Sequence, residues 1–185
     1  IEGEKPDFSD KNSDCFFLHK RDKFSTCDTV IDLVCNRLPS AYNINPLTDI
    51  QVLCPSKMME TGTVNLNNLL QANLNPKKDK QAQMSFKGFY LRVGDKVMQT
   101  KNNYDLQYKK DNGEYGTGIF NGDIGYITDI DIRGGILKVR FDDKEATYFS
   151  EDLSQLELAY AVTVHKSQGS EYDYVVIPLM DMPSR

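Results

Sequence analysis

Two apolar runs, Leu158-Ala159-Tyr160-Ala161-Val162 and Tyr174-Val175-Val176-Ile177-Pro178-Leu179, bracket the polar stretch Thr163-Val164-His165-Lys166-Ser167-Gln168-Gly169-Ser170-Glu171. This bracketing constrains the fold strongly: two extended runs around a short turn closed by glycine describe a loop held at the edge of a buried sheet. The turn is rich in hydrogen-bonding groups. Thr163 and Ser167 offer hydroxyls, His165 and Lys166 nitrogen donors, and Gln168 a two-sided amide. Gly169 permits a positive φ or a close backbone approach to a ligand, and Glu171 can accept from a pair of hydroxyls. That inventory suits a polyanion carrying sugars, meaning nucleic acid or nucleotide. The plainer alternative is a solvated turn with His165 and Lys166 simply exposed.

The 185 residues allow one large domain or two small ones. Aromatic content of 10%, with ten Tyr, nine Phe and no Trp, is enough to build a core. A formal net charge of −5 counts against a general DNA-coating protein. It leaves room for a narrow strand-binding track of local donors and stacking rings. The cysteines at 15, 27, 35 and 54 form no C-x-x-C pair and have no His at zinc spacing, so they read as free thiols and no metal site is expected. Neither a signal peptide nor a membrane-length apolar run is present, and a cytoplasmic setting is expected.

Along the chain, residues 1–12 read as a linker or fragment edge. Cys15-Phe16-Phe17-Leu18-His19 reads as a buried strand, with His19 at the surface. Ser25 or Asp28 can cap a helix whose apolar face holds Val30, Ile31, Val34 and Leu38, stopped by Pro39. Ile50–Cys54 is a second strand. A second helix follows Gly62-Thr63, carries Val64, Leu66, Leu69, Leu70 and Leu74, and ends at Asn75-Pro76. This alternation predicts a parallel α/β sheet. Beyond Phe89 the helical period disappears, and Asn112-Gly113, Asn121-Gly122 and Gly134-Gly135 punctuate short alternating runs at hairpin spacing. The expected insert is a small SH3-like all-β barrel over 105–156, within an α/β domain formed by 13–104 and 157–185.

The ordering T-x-H-K-S-Q-G-x-E resembles the late motif of the second motor domain in superfamily 1 helicases, most closely the RecD/TraA-like branch. Ile50-Gln51-Val52-Leu53-Cys54-Pro55-Ser56-Lys57, with Gly62 and Leu66-Asn67-Asn68-Leu69-Leu70-Gln71, looks like the opening of that domain. Gly94–Tyr104 and Phe120–Gly125 are similar to stretches before and within the family's inserted barrel. The resemblance implies a RecA-like second motor domain, incomplete here, carrying an SH3-like barrel. It also implies an ATP-dependent DNA helicase described as moving 5′ to 3′ on single strands, a family that includes the exodeoxyribonuclease V alpha subunit.

By that resemblance Thr163, His165, Lys166, Ser167 and Gln168 face single-stranded DNA, while Gly169 and Glu171 face the nucleotide. Tyr104 is a stacking ring or, equally, an aromatic plug at the barrel joint. Lys57, Lys96 and Lys101 are within the same reach but need no function. No G-x-x-x-x-G-K-[ST] loop and no strand ending in Asp-Glu occurs in the chain, so it is expected to be a piece of a longer protein that uses ATP and Mg²⁺. The piece itself holds no catalytic residue. Expected partners are single-stranded DNA, an N-terminal motor domain of the same protein and helicase–nuclease subunits; no membrane is expected. Two other readings stand beside this one: a non-enzymatic nucleic-acid or protein-binding module, and a small hydrolase using His165 with Glu171 or Asp173.

Overall fold

The computed structural model describes residues 8, 13–86 and 88–180. Apart from Phe8, the expected linker 1–12 lies outside them. The first helix, α1 (Lys23–Asp32), begins at Asp22, whose Oδ1 accepts from Ser25 N at 2.9 Å. Ser25 returns the contact, its Oγ donating to Asp22 Oδ2 at 2.9 Å. Asp22 therefore takes the capping role expected of Ser25 or Asp28, one turn earlier.

Pro39 does not end the helix. A π turn, Leu33–Arg37, widens the spiral first, and Leu38 N donates back to Leu33 O. Pro39 follows directly, at the second residue of α2 (Leu38–Tyr42), and the helical run continues past it. The helical run ends at Asn43, in the left-handed region at φ 54.

Ile50–Cys54 forms β1, and Thr63–Leu74 forms α3, which packs Leu66 and Leu70 into the core at 0% exposure. After the hairpin β2 (Gln83–Phe86) and β3 (Phe89–Arg92), the chain enters a large antiparallel sheet. Its strands are β4 (Lys96–Gln99), β5 (Asn103–Lys110), β6 (Tyr115–Ile119), β7 (Ile124–Asp131), β8 (Ile136–Phe141), β9 (Lys144–Phe149) and, after a 3-10 turn, β10 (Leu156–Leu158). The order β10-β4-β7-β8-β9-β5-β6 places hairpins at Asn112-Gly113, between β5 and β6, and at Gly134-Gly135, between β7 and β8, whereas Asn121-Gly122 turns the chain from β6 to β7, which are not neighbours in the sheet. Gly125 shows how tightly the strands pack, because a Cβ there would lie 2.6 Å from Arg140 O.

The sheet begins at Lys96 and ends at Leu158, wider on both sides than the insert expected over 105–156. Its two roots pair antiparallel, Gln99 with Leu156 and Val97 with Leu158. The chain therefore leaves and re-enters the α/β part at adjacent points. Insert and parent are not separate cores: Val97, Ile127 and Tyr148 belong to one buried cluster with Val52, Leu66 and Leu70.

The parallel sheet has the order β11-β1-β12, with β11 at Ala161–Thr163 and β12 at Tyr174–Val176. Val52, Cys54 and Ile50 are buried. The architecture is α/β, a three-stranded parallel sheet with helices from which the seven-stranded antiparallel sheet is inserted.

The expected strand at Cys15–His19 does not form. Phe16, Phe17 and Leu18 are 59%, 56% and 46% exposed, and none of the three sheets includes this segment. An apolar run becomes a strand only when a neighbouring edge takes up its backbone hydrogen bonds.

Candidate nucleic-acid interface

In the parallel register Cys54 lies beside Thr163, and Ile50 lies beside Tyr174. The polar turn therefore leaves from the carboxyl end of β11, next to the loop Pro55-Ser56-Lys57 that leaves the carboxyl end of β1. Ligands of open α/β sheets collect at this end, where successive strands send their loops apart. From Val164 to Asp173 the chain crosses to the amino end of β12, where Tyr174 N donates to Asp49 O at 3.1 Å. At about 3.3 Å per strand residue, the two ends of this crossover are separated by roughly 13 Å along the strands.

The turn is braced from within. Val164 N donates to Cys54 O at 3.1 Å, and Lys166 N and Ser167 N both donate to Thr163 O, at 2.9 and 3.2 Å. Ser167 is buried at 9% exposure, and its hydroxyl donates to Val164 O at 2.9 Å. Its side chain therefore shapes the turn rather than facing outward, unlike the exposed His165 and Gln168. Gly169 sits at φ +82 with nothing within 4 Å of a would-be Cβ, so the backbone and not crowding calls for glycine. Thr163 and Lys166 are half-buried, and Glu171 is exposed on the far part of the crossover.

Tyr104 lies on β5 of the barrel, not in the turn. It is 66% exposed and meets Phe120 edge-on, with centroids 5.6 Å apart. This is an open ring pair, not a plug buried in a joint. Lys101 is exposed. Lys96 is only 3% exposed and donates to Ile50 O at 3.2 Å, and is thereby withdrawn from contact with a nucleic-acid phosphate. Burial pulls its ammonium down to about 8, against the opposing pull of Asp49.

Contacts from α3, β10 and the loop after β1 hold the turn in place. Asn67 of α3 donates to Leu158 O at 3.1 Å and Ala161 O at 2.8 Å, and accepts from Ala161 N at 2.8 Å. Lys57 and Lys166 both donate to Glu157, at 2.8 Å to Oε1 and 2.9 Å to Oε2. Burial alone would raise the Glu157 carboxyl, but the hydrogen bonds from Lys57 and Lys166 outweigh it and hold the group below its ordinary value. Beside this cluster lies a cavity of about 20 Å³ lined partly by Thr63, Asn67 and Thr163. Glu157 belongs to no recognisable short motif and only its place before the first apolar run would have pointed to it, while Asn67 lies in the stretch that resembles the opening of the motor domain but carries no signal of its own there.

The geometry gives little to a hydrolase. Among the described residues His165 makes no hydrogen bond to a carboxylate, and Asp173 lies at the amino end of the sheet. Cys54 is buried, and desolvation pushes its thiol up to about 12, so it does not present a thiolate nucleophile. Among the described residues no three His, Cys, Asp or Glu side chains converge to hold a metal. No described helix is long and apolar enough to cross a membrane.

Residues 66–141 match the family described as ATP-dependent RecD-like DNA helicase SH3 domain. Residues 158–185 match the UvrD-like helicase C-terminal domain. The chain is 36% identical over 127 residues to the ATP-dependent RecD2 DNA helicase of Deinococcus radiodurans, an alignment covering 69% of this chain and 16% of that protein. An uncharacterized protein of Methanocaldococcus jannaschii is 28% identical over 144 residues, covering 69% of this chain and 12% of its own length. Among solved structures, Bacteroides Pif1 helicase in complex with ADP-AlF3 and ssDNA aligns at 18% identity with a TM-score of 0.47, covering 85% of this chain and 40% of that one. The chain thus spans well under half the length of the proteins it matches. It is a relative of the RecD-like DNA helicases, matching their SH3 domain over residues 66–141 and a UvrD-like helicase C-terminal domain over residues 158–185.

Proposed function

We propose that this chain is the strand-engaging second motor domain of an ATP-dependent DNA helicase or translocase that acts in the cytoplasm on single-stranded DNA during repair or recombination. The observation that carries the reading is the placement of Thr163, His165, Lys166 and Gln168 at the carboxyl ends of two parallel strands. Their donors suit phosphate positioning rather than base reading. Tyr104, exposed on β5, supplies a ring on which a base can stack. Ser167 contributes by holding the turn's shape.

Gly169 and Glu171 lie further along the crossover and form the side of the turn that meets the nucleotide. In the complete protein ATP with Mg²⁺ supplies the phosphoryl-transfer chemistry. Here Glu171 would accept from ribose hydroxyls, and Gly169 would let the backbone approach. The phosphate-cradling loop comes from the N-terminal motor domain, the first partner of this chain. Helicase–nuclease subunits of the exodeoxyribonuclease V kind are further partners.

The test is ATP hydrolysis by the complete protein with and without single-stranded DNA. Stimulation by DNA, lost in the double variant His165→Ala, Lys166→Ala, supports the reading, as does the absence of hydrolysis by residues 1–185 alone. No hydrolysis by the complete protein would favour a non-enzymatic binding module, and hydrolysis indifferent to DNA would contradict the strand-engaging reading. Turnover by this chain alone that depends on His165 would favour the hydrolase.

A further inference from the structure

Lys57 and Lys166 reach the same carboxylate from the ends of different strands, and both oxygens of Glu157 are taken, one at 2.8 Å and one at 2.9 Å. The three side chains remain accessible, at 55% for Lys57, 32% for Lys166 and 38% for Glu157. The adjoining cavity is of water size, and the cluster is reached from the solvent side. Carboxylate and phosphate oxygens offer an ammonium the same charge-assisted hydrogen bond. A lysine, as a flexible point charge, can pass from one to the other.

We propose that Glu157 is a built-in competitor for the DNA phosphate: its carboxylate occupies the lysines of the strand-end turns, and a phosphate gains Lys166 only by displacing it. The proposal rests on the reading of Lys166 as a DNA contact. Glu157 stands on β10, the edge strand of the barrel sheet beside β4, where it pairs with Met98. Each lysine handed to a phosphate therefore frees a side chain at the root of the barrel. Stepping along a strand requires phosphates to be released as well as bound, and an internal anion that recaptures the lysine favours release.

The experiment is a double-mutant cycle in the complete protein, read by fluorescence anisotropy of a labelled oligothymidylate without nucleotide. Glu157→Gln keeps the shape and removes the charge. It should tighten binding roughly three- to tenfold, the scale of one partly exposed charged contact. Its salt dependence should steepen, because wild-type Glu157 takes up a cation when its lysine leaves. Glu157→Asp keeps the charge but shortens the reach, and should tighten binding as well. In a Lys166→Ala background the gain from Glu157→Gln should vanish. Unchanged or weaker binding by Glu157→Gln with a wild-type melting temperature would overturn the proposal. An equal gain in the Lys166→Ala background would overturn it too, since it would reveal only a general charge effect. If Lys166→Ala alone leaves affinity unchanged, the DNA-contact reading itself fails.

Discussion

Tyr160 donates its hydroxyl to Asp95 Oδ1 at 2.9 Å, tying the strand that leads into the polar turn to the root of the barrel. Asp95 is wholly buried and also accepts from Gln71 Nε2 at 2.6 Å, Asn75 Nδ2 at 2.7 Å and Arg92 N at 2.7 Å. Burial pushes its carboxyl up, while these hydrogen bonds favour the anion. Helix α3, the β2–β3 hairpin, the barrel and the approach to β11 thus meet on one carboxylate.

Asp95→Ala should destabilise the protein by at least about 3 kcal/mol, because it strands several buried donors and each costs roughly 1–3 kcal/mol. Tyr160→Phe removes one donor and should cost about 1–2 kcal/mol. Urea unfolding followed by circular dichroism checks both. A loss below 1 kcal/mol for Asp95→Ala would show that the hub is not part of the cooperative core.

Lys96 has the opposite character. Its folded value of about 8 lies below the ordinary 10.5 because burial disfavours the charged form. Between these values the unfolded chain holds more protons, so the stability of the wild type should rise as pH climbs from 8 to 10.5. Below 8 the penalty is fully present. Lys96→Met should therefore stabilise the protein at pH 7 by up to roughly 3 kcal/mol. The difference from wild type should narrow as pH rises to 10.5, as measured by denaturant titration across pH.

Residues 100–155 can be replaced by a short Gly/Ser bridge without straining the chain, since Thr100 N already donates to Gln155 O at 2.7 Å. The shared buried cluster argues that the shortened protein will not unfold as a sharp two-state unit. Thermal melting with a wild-type-like transition would show that the α/β part has its own sufficient core.

The legible parts of the fold were those written in local pattern. β1, α3 and the barrel hairpins follow from apolar spacing and glycine turns, and the polar turn stands out between its two apolar runs. What depended on distant partners was not legible. Cys15–His19 has the composition of a strand but no edge to join. Pro39 reads as a stop until the π turn before it is seen. The barrel's second root, β10, is a three-residue strand defined only by its pairing with β4, which itself also pairs with β7. Glu157 was hidden for the same reason: its lysines are 100 and 9 residues away in sequence.

The account is tested most directly by separating the two faces of the crossover in the complete protein. Lys166→Ala and Glu171→Ala are each titrated with labelled oligothymidylate in the absence of nucleotide, and separately with nucleotide. Lys166→Ala should weaken DNA binding and flatten its log–log salt slope by up to about 0.7, one single-strand phosphate contact, while nucleotide affinity holds. Glu171→Ala should weaken nucleotide binding by roughly 1.5–3 kcal/mol and leave DNA affinity intact. Loss of DNA binding in Glu171→Ala equal to that in Lys166→Ala, with nucleotide binding spared, would contradict the assignment of the two faces.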